Sequence, residues 1–120
     1  MWPVEKIPDV DNLFMRIHRN LIRDGEPMPG AFRDNEGGMS TDWSKYATAD
    51  QTRSGGRQDA ELYGVIKMQV GGVRSIKPLT VAHAPLDSNQ AHTDVFGEKD
   101  TEVRLKLCRI CVWQINCADL

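Results

Sequence analysis

The sequence has few cysteines, almost no excess charge and no long hydrophobic run, and each shortage excludes a class of protein. Its three cysteines in 120 residues are too few, and odd in number, for the disulfide framework of a small secreted domain. Its 15 basic and 17 acidic residues leave a net charge of −2, which gives no bulk attraction to nucleic acid or anionic lipid. Its apolar runs fall far below the roughly 18 residues that span a bilayer, and the N-terminus lacks the apolar region of a signal peptide. We therefore expect a cytoplasmic protein without a nucleic-acid or membrane partner.

The composition is that of one globular domain. Apolar residues make up 40% of the chain and charged residues 27%, as in ordinary soluble domains. A chain of this length buries enough surface for one core. Pro3 and Pro8 favour extended backbone before them, so we expect an extended N-terminal arm over residues 1–8 and a single α+β domain over residues 9–120.

Short apolar, β-branched segments predict most of the regular structure. Residues 13–18, 62–70, 79–84 and 91–96 are typical of strands. The pair Gly71-Gly72 follows one of these segments directly, which favours a hairpin turn.

The segment 100–115 fits two structures. As a helix capped by Asp100 or Thr101, it places Val103 and Leu107 on one apolar stripe. As a strand, it alternates apolar and charged residues at period two. Its length without Gly or Pro favours the helix. The sequence therefore predicts an α+β fold: a small, mostly antiparallel sheet that could curl toward a barrel, with a C-terminal helix packed on it.

Two cysteines, Cys108 and Cys111, have the spacing of zinc and redox sites, but no second cysteine pair closes such a site. His83, His92 or Cys117 would have to complete it. Apolar neighbours on both sides favour cysteines that serve as small core residues. We therefore expect no metal and no cofactor, with zinc as the alternative.

Four other residues are candidates for chemistry. His92 follows a turn after a strand that ends at a proline, and histidine is the usual proton-transfer group near neutral pH. Arg16 and His18 belong to a small basic cluster that could bind a phosphate group. Ser40 is a candidate nucleophile or positioning group with His92 as its base, although a serine in this context also fits a helix cap.

Several short motifs carry a resemblance to known proteins. The chain resembles a loosely patterned group of small uncharacterised bacterial proteins. The motifs that carry this resemblance are Leu13–His18, Ala31-Phe32, Met39–Asp42, Asn89–His92 and Gly97. This resemblance implies a bacterial origin and no particular activity.

A weaker resemblance is to the ADP-ribosyltransferase superfamily. There, an Arg or His on the first strand and a Ser or Tyr on a later strand hold NAD, and a Glu usually completes the site. The residues that would match in chain order are Arg16 or His18, then Ser40 and Thr41, then Glu98 or Glu102. The chain departs from that pattern, because the sequence indicates no clear strand around Ser40.

Two functions follow as hypotheses. The first is a non-enzymatic accessory or regulatory module that binds another protein, with Trp2, Trp43 or Trp113 at the interface and a homodimer as an alternative assembly. The second is an enzyme for a nucleotide or another phosphate-bearing substrate, which uses Arg16, His18, Ser40 and His92. The enzyme hypothesis predicts that these four side chains converge on one pocket, and the sequence leaves open whether the protein is an enzyme.

Overall fold

A computed structural model of the chain describes residues 1–55 and 58–117 and shows an α+β fold. Its strands within those residues are β1 Asn12–His18, β2 Ile22–Arg23, β3 Glu26–Pro27, β4 Met39–Trp43, β5 Tyr63–Gln69, β6 Thr80–His83, β7 His92–Phe96 and β8 Val112–Ile115. Its helices there are α1 Ala49–Ser54, α2 Val70–Arg74 and α3 Thr101–Ile110. In this part of the chain, each helix is too short or too polar to cross a membrane. The end of the predicted domain, residues 118–120, lies outside the described residues.

Six strands form one antiparallel sheet in the order β6-β7-β4-β1-β5-β8, and β2 and β3 form a separate two-stranded hairpin. The predicted α+β class, with a mostly antiparallel sheet and a C-terminal helix, is confirmed. The barrel-like part of that prediction is not confirmed, since the described sheet is open, with β6 and β8 at its edges.

The central strand β1 shows why the sheet has two different faces. Leu13, Met15 and Ile17 are buried in the hydrophobic core. Arg16 and His18 alternate with them and are only half-buried. Because successive side chains of a strand point to opposite faces, one face of the sheet carries the core, and the other carries Arg16 and His18 beside the buried Phe14 and Val65.

Helices α2 and α3 and the turn Pro29–Ala31 supply the other half of the core. Val73, Leu107 and Phe32, from or next to these elements, are fully buried in the same cluster as the apolar face of β1. Removing such side chains from water is the main stabilising contribution to a domain of this size. The polar face of the sheet is therefore left available for other uses.

The C-terminal segment is a helix followed by a strand. The carboxylate of Asp100 accepts a hydrogen bond from the Val103 amide at 2.9 Å, as the predicted N-cap does. The helix ends at Ile110, and Cys111 turns the backbone to extended geometry. Residues 112–115 then pair with β5, so the predicted helix is correct only for the first two-thirds of the segment.

Two local predictions were wrong, because burial outweighed turn and cap propensities. Gly71-Gly72 is not a hairpin turn, since it lies inside α2. Ser40 does not lie in a helix cap but in β4, whose alternate residues are buried in the core. The helix that follows is capped by Thr48 instead, through a reciprocal capping box with Gln51.

The N-terminal residues 1–8 contain no helix or strand but pack on the domain. Ile7 is 1% exposed and joins the core. The Glu5 carboxylate accepts hydrogen bonds from Lys45, at 2.8 Å, and from the Tyr46 hydroxyl. These two bonds hold the pKa of Glu5 below its ordinary value, so the segment is attached by charge as well as by apolar contact.

Candidate functional site

The polar face of the sheet forms the floor of the candidate site. In the register of β4 and β7, Asp42 lies opposite His92 and Ser40 lies opposite Asp94. Directly opposed residues of antiparallel strands share a face. Helix α1 contacts the same face, because Thr52 hydrogen-bonds to Asp42.

A groove of about 1010 Å³ lies over this floor. Its walls include α1, the turn at residues 86–90 and the loop at residues 31–35. All four residues that the enzyme hypothesis singled out line it, namely Arg16, His18, Ser40 and His92. Arg16 and His92 lie two strands apart on β1 and β7, a separation of about 10 Å at the usual strand spacing. The structure thus brings together residues that are distant in the sequence.

His92 is oriented by a backbone carbonyl. Its Nδ1 lies 2.9 Å from the Ala84 carbonyl oxygen. A carbonyl only accepts hydrogen bonds, so Nδ1 carries the hydrogen and, in the neutral ring, Nε2 keeps a free electron pair. Nε2 lies 3.4 Å from the Ser40 hydroxyl oxygen. This arrangement allows His92 to accept a proton from the hydroxyl or from a group bound beside it.

Asp94 lies on the same side of His92 as the serine does. One carboxylate oxygen of Asp94 is 3.7 Å from Nε2 of His92. Once His92 has taken up a proton, this carboxylate attracts the imidazolium. In a Ser-His-Asp triad the carboxylate binds the other ring nitrogen, so the arrangement here is different: a backbone carbonyl orients the ring, and the carboxylate is placed to stabilise its charged form.

Arg16 is held against the C-terminal end of α1. Its Nη1 donates a hydrogen bond of 3.0 Å to the Thr52 carbonyl. Gly55 ends the helix in the left-handed conformation, with φ at +40°, and a Cβ added there would lie 2.5 Å from Nη1 of Arg16. The backbone conformation therefore favours glycine at this position, and a larger residue would also displace the guanidinium of Arg16.

His18 contributes to local structure as well as to the groove. Its Nδ1 accepts a hydrogen bond of 3.1 Å from the Asn20 amide and so caps the short turn Arg19–Leu21. Its ring meets Tyr63 edge to face at 5.0 Å. Because Nδ1 accepts, the hydrogen of the neutral ring lies on Nε2, which leaves one donor for a ligand.

Asp42 is a functional-site residue that the sequence analysis did not single out. Its two carboxylate oxygens accept hydrogen bonds from the Thr52 hydroxyl, at 2.7 Å, and from the Asn89 amide, at 2.8 Å. Asn89 also accepts a bond from the Ala91 amide. Asp42 therefore connects both walls of the groove to its floor. The signal for it was the alternation of buried and half-buried residues along Met39–Trp43.

The groove lining contains more arginines than carboxylates, and Asp94 lies beside it, next to His92. Among its lining residues are two arginines, Arg16 and Arg33, and one carboxylate, Asp42. Both oxygens of that carboxylate already accept hydrogen bonds. Guanidinium groups bind phosphate and carboxylate through paired hydrogen bonds, so this lining suits an anionic ligand.

The chain matches no family model, no curated protein and no solved structure. The resemblances to the group of small bacterial proteins and to the ADP-ribosyltransferase superfamily remain predictions from sequence motifs.

In the part of the chain that the structure describes, Cys108 and Cys111 lack the neighbouring ligands and the low thiol pKa that are typical of a metal or redox site. Residues 1–55 and 58–117 contain no cluster of three His, Cys, Asp or Glu side chains that could hold a metal ion. Burial raises the pKa of Cys108, and it raises the pKa of Cys111 to about 11. Both are thiols at neutral pH, whereas the thiolate is the ligand and nucleophile. Both ring nitrogens of His83 are engaged, by the Glu5 amide and the Gln90 carbonyl.

The three tryptophans differ in exposure. Trp43 is 1% exposed in the core, and its ring N–H donates to Asp11 at 2.9 Å. Trp113 is half-buried and donates to the Gly25 carbonyl. Trp2 is 44% exposed. Of the three, Trp2 therefore retains the exposure that an interface residue needs, and the binding of a protein partner stays a prediction.

Proposed function

We propose that the protein is an enzyme that acts on a nucleotide or another phosphate-bearing substrate bound in the groove. One observation carries the proposal: Arg16, His18, Ser40 and His92 line a single groove, with Nε2 of His92 3.4 Å from the Ser40 hydroxyl oxygen. A basic anchor beside a proton acceptor and a hydroxyl group is the combination that phosphate-ester chemistry requires.

Each residue has a role that its geometry supports. The guanidinium of Arg16 binds the phosphate group, and the Nε2–H of His18 donates a second hydrogen bond to the substrate. Ser40 holds the attacking hydroxyl or water beside the ring of His92. His92 accepts the proton at Nε2 as the oxygen of that group bonds to the phosphorus, and Asp94 stabilises the resulting imidazolium from 3.7 Å. The phosphorus–oxygen bond to the rest of the substrate breaks in the same step, and the leaving oxygen takes its proton from solvent water.

The bacterial origin and the cytoplasmic location of the protein also stay proposals. The sequence favours a bacterial cytoplasmic protein, and the fold adds nothing that distinguishes one compartment from another. An accessory module that binds another protein is the alternative function, and it draws its support from the exposed Trp2 alone among the tryptophans.

The test combines a substrate panel with three variants. Wild-type protein is incubated with nucleoside mono-, di- and triphosphates and with p-nitrophenyl phosphate, and product formation is followed. We expect His92→Asn to lower turnover by about 100-fold or more, since a positioned proton-transfer group contributes about that much. Ser40→Ala should lower it less. Ser75→Ala is the matched control and should leave turnover unchanged, because Ser75 is an exposed serine directly after α2 whose hydroxyl donates to the Gly71 carbonyl.

Native mass spectrometry of the wild type with the same compounds provides a second readout. We expect one phosphate compound bound per chain, and loss of that complex in Arg16→Gln. Retention of full turnover by folded His92→Asn would show that His92 does not transfer the proton. Absence of both binding and turnover across the panel would refute the proposal and favour the protein-binding alternative.

A further inference from the structure

The loop at residues 31–35 is fixed at two adjacent points. Phe32 is 0% exposed in the core. Asp34 accepts a hydrogen bond of 2.6 Å from Lys99, whose side chain is 2% exposed. The ammonium of Lys99 also donates to the carbonyls of Val95 and Gly97, at 3.0 and 2.8 Å. All three of its donors are thus used, and Arg33 lies between two anchored residues.

Arg33 projects into the groove without a partner. It is exposed and lines the groove. In the described part of the chain its guanidinium makes no hydrogen bond or ion pair. A long side chain on an anchored backbone loses less freedom on binding than one on a mobile loop, so the groove has an unpaired cation whose backbone is held by its neighbours.

Arg16 and Arg33 reach the groove from different elements. Arg16 comes from β1 in the floor, whereas Arg33 comes from the loop in the wall. The one lining carboxylate, Asp42, is occupied by Thr52 and Asn89. Two guanidinium groups that approach from two sides are matched by two anionic groups, since each forms its own pair of hydrogen bonds to one phosphate.

We infer that Arg33 is a specificity-determining residue that selects ligands with two linked phosphate groups over ligands with one. This inference rests on the proposed function, because it assumes that the groove binds phosphate. Arg16 binds the first phosphate group, and Arg33 binds the second from the loop. A groove of about 1010 Å³ has room for both groups and for the part of the substrate that carries them.

Inorganic pyrophosphate and orthophosphate test this inference without knowledge of the substrate. Affinities are measured by isothermal titration calorimetry at fixed ionic strength, because surface charges are screened by salt. In the wild type, pyrophosphate should bind about tenfold more tightly than orthophosphate, as a charge-assisted pair of hydrogen bonds is added. Arg33→Gln should remove this difference and leave orthophosphate binding within about twofold of the wild type.

Two further variants provide the controls. Arg23→Gln replaces an exposed arginine outside the groove and should leave both affinities unchanged. Arg33→Lys keeps the charge but loses the planar fork, so it should retain part of the preference for pyrophosphate. Because Arg33 is exposed, the variants should unfold at the same temperature as the wild type.

The outcomes separate the inference from the function on which it rests. If both probes bind the wild type and Arg33→Gln behaves like Arg23→Gln, the inference is wrong and the proposed function stands. An equal loss of both probes in Arg33→Gln would also overturn it, since Arg33 would then bind anions without selecting among them. If neither probe binds the wild type, anion binding itself fails and the inference fails with it.

Discussion

Replacing Asp42 with alanine should weaken the whole protein and open the groove. The carboxylate of Asp42 accepts one hydrogen bond from Thr52 on α1 and one from Asn89 in the turn before β7. No other acceptor for these two donors is recorded in the described part of the chain. The substitution therefore releases both walls of the groove from its floor.

The size of the effect follows from the two bonds. Each hydrogen bond to a charged group contributes about 1.5–3 kcal/mol. Thr52 is 3% exposed, so its hydroxyl would remain buried without a partner. Asp42 itself is half-buried, and water that enters the site would restore part of the loss. We expect the free energy of unfolding to fall by about 2–4 kcal/mol, a large fraction of the stability of a small domain.

Urea unfolding followed by circular dichroism measures this change. With the slopes usual for small domains, the midpoint should fall by about 1–2 M urea. Asp87→Ala is the matched control, since Asp87 is exposed in the same turn region and has no side-chain partner in the described residues. Its free energy of unfolding should stay within about 0.5 kcal/mol of the wild type.

A double-mutant cycle measures the contribution of the hydrogen bond between Thr52 and Asp42. Thr52→Val removes the hydroxyl at nearly constant volume, and its effect should be smaller when Asp42 is already alanine. We expect a coupling free energy of about 1–2 kcal/mol between the two positions. Additive effects, or a loss of less than about 0.5 kcal/mol for Asp42→Ala, would show that the carboxylate does not hold the groove walls.

Three further predictions concern a tightly packed glycine, a buried ammonium group and a buried thiol. Gly38→Ala should lower the free energy of unfolding by about 1–3 kcal/mol, because the added Cβ would lie 2.8 Å from the Cβ of Asp94. Thermal unfolding measures this loss. Lys99→Met should lower the free energy of unfolding by about 2–3 kcal/mol, because its hydrogen bonds are lost. Lys106→Met should lower it by less than about 0.5 kcal/mol, because Lys106 makes only an ion pair on the helix surface. The pKa of Cys111 is raised to about 11 from an ordinary value of 9.0, so the folded state disfavours the thiolate. Relative to Cys111→Ala, the wild type should lose stability as the pH rises from 9 through 11, and urea midpoints at each pH measure the difference.

Each of these predictions has an outcome that contradicts it. A Gly38→Ala protein with an unchanged melting temperature would mean that Asp94 yields without cost. Equal effects of Lys99→Met and Lys106→Met would show that burial of the ammonium adds nothing. Parallel pH curves for the wild type and Cys111→Ala would indicate that the thiol ionises freely in the folded protein.

Part of the fold was accessible from local patterns. The strands at residues 13–18, 62–70, 79–84 and 91–96 were predicted from short β-branched runs, and the cap at Asp100 was predicted from its side chain. These features depend on the nearest few residues, whose sterics and hydrogen bonding act over one turn or one strand. The hairpin at Gly71-Gly72 failed because the choice between a turn and a short helix there was made by packing against Asp9 and the core.

The sequence predicted individual residues of the candidate site but not their arrangement. Arg16, His18, Ser40 and His92 were chosen as chemically capable residues in suitable local settings. Asp42 was missed as a site residue because its partners are distant in the sequence, and Arg33 was missed because its place in the groove depends on the bond of the neighbouring Asp34 to the distant Lys99. The bonds of Asp42 to Thr52 and Asn89 span 10 and 47 positions, and no local pattern contains them.

The amino-acid sequence by itself determined the class of the protein and the places of most of its strands. Composition excluded a disulfide-stabilised domain, and short apolar runs indicated where the strands lie. Only the tertiary structure decided that Arg16, Ser40 and His92 line one groove, because β1, β4 and β7 are neighbours in the sheet. The physical reason is that a period of two specifies which side chains share a face of one strand, whereas the order of the strands is set by the packing of the whole core.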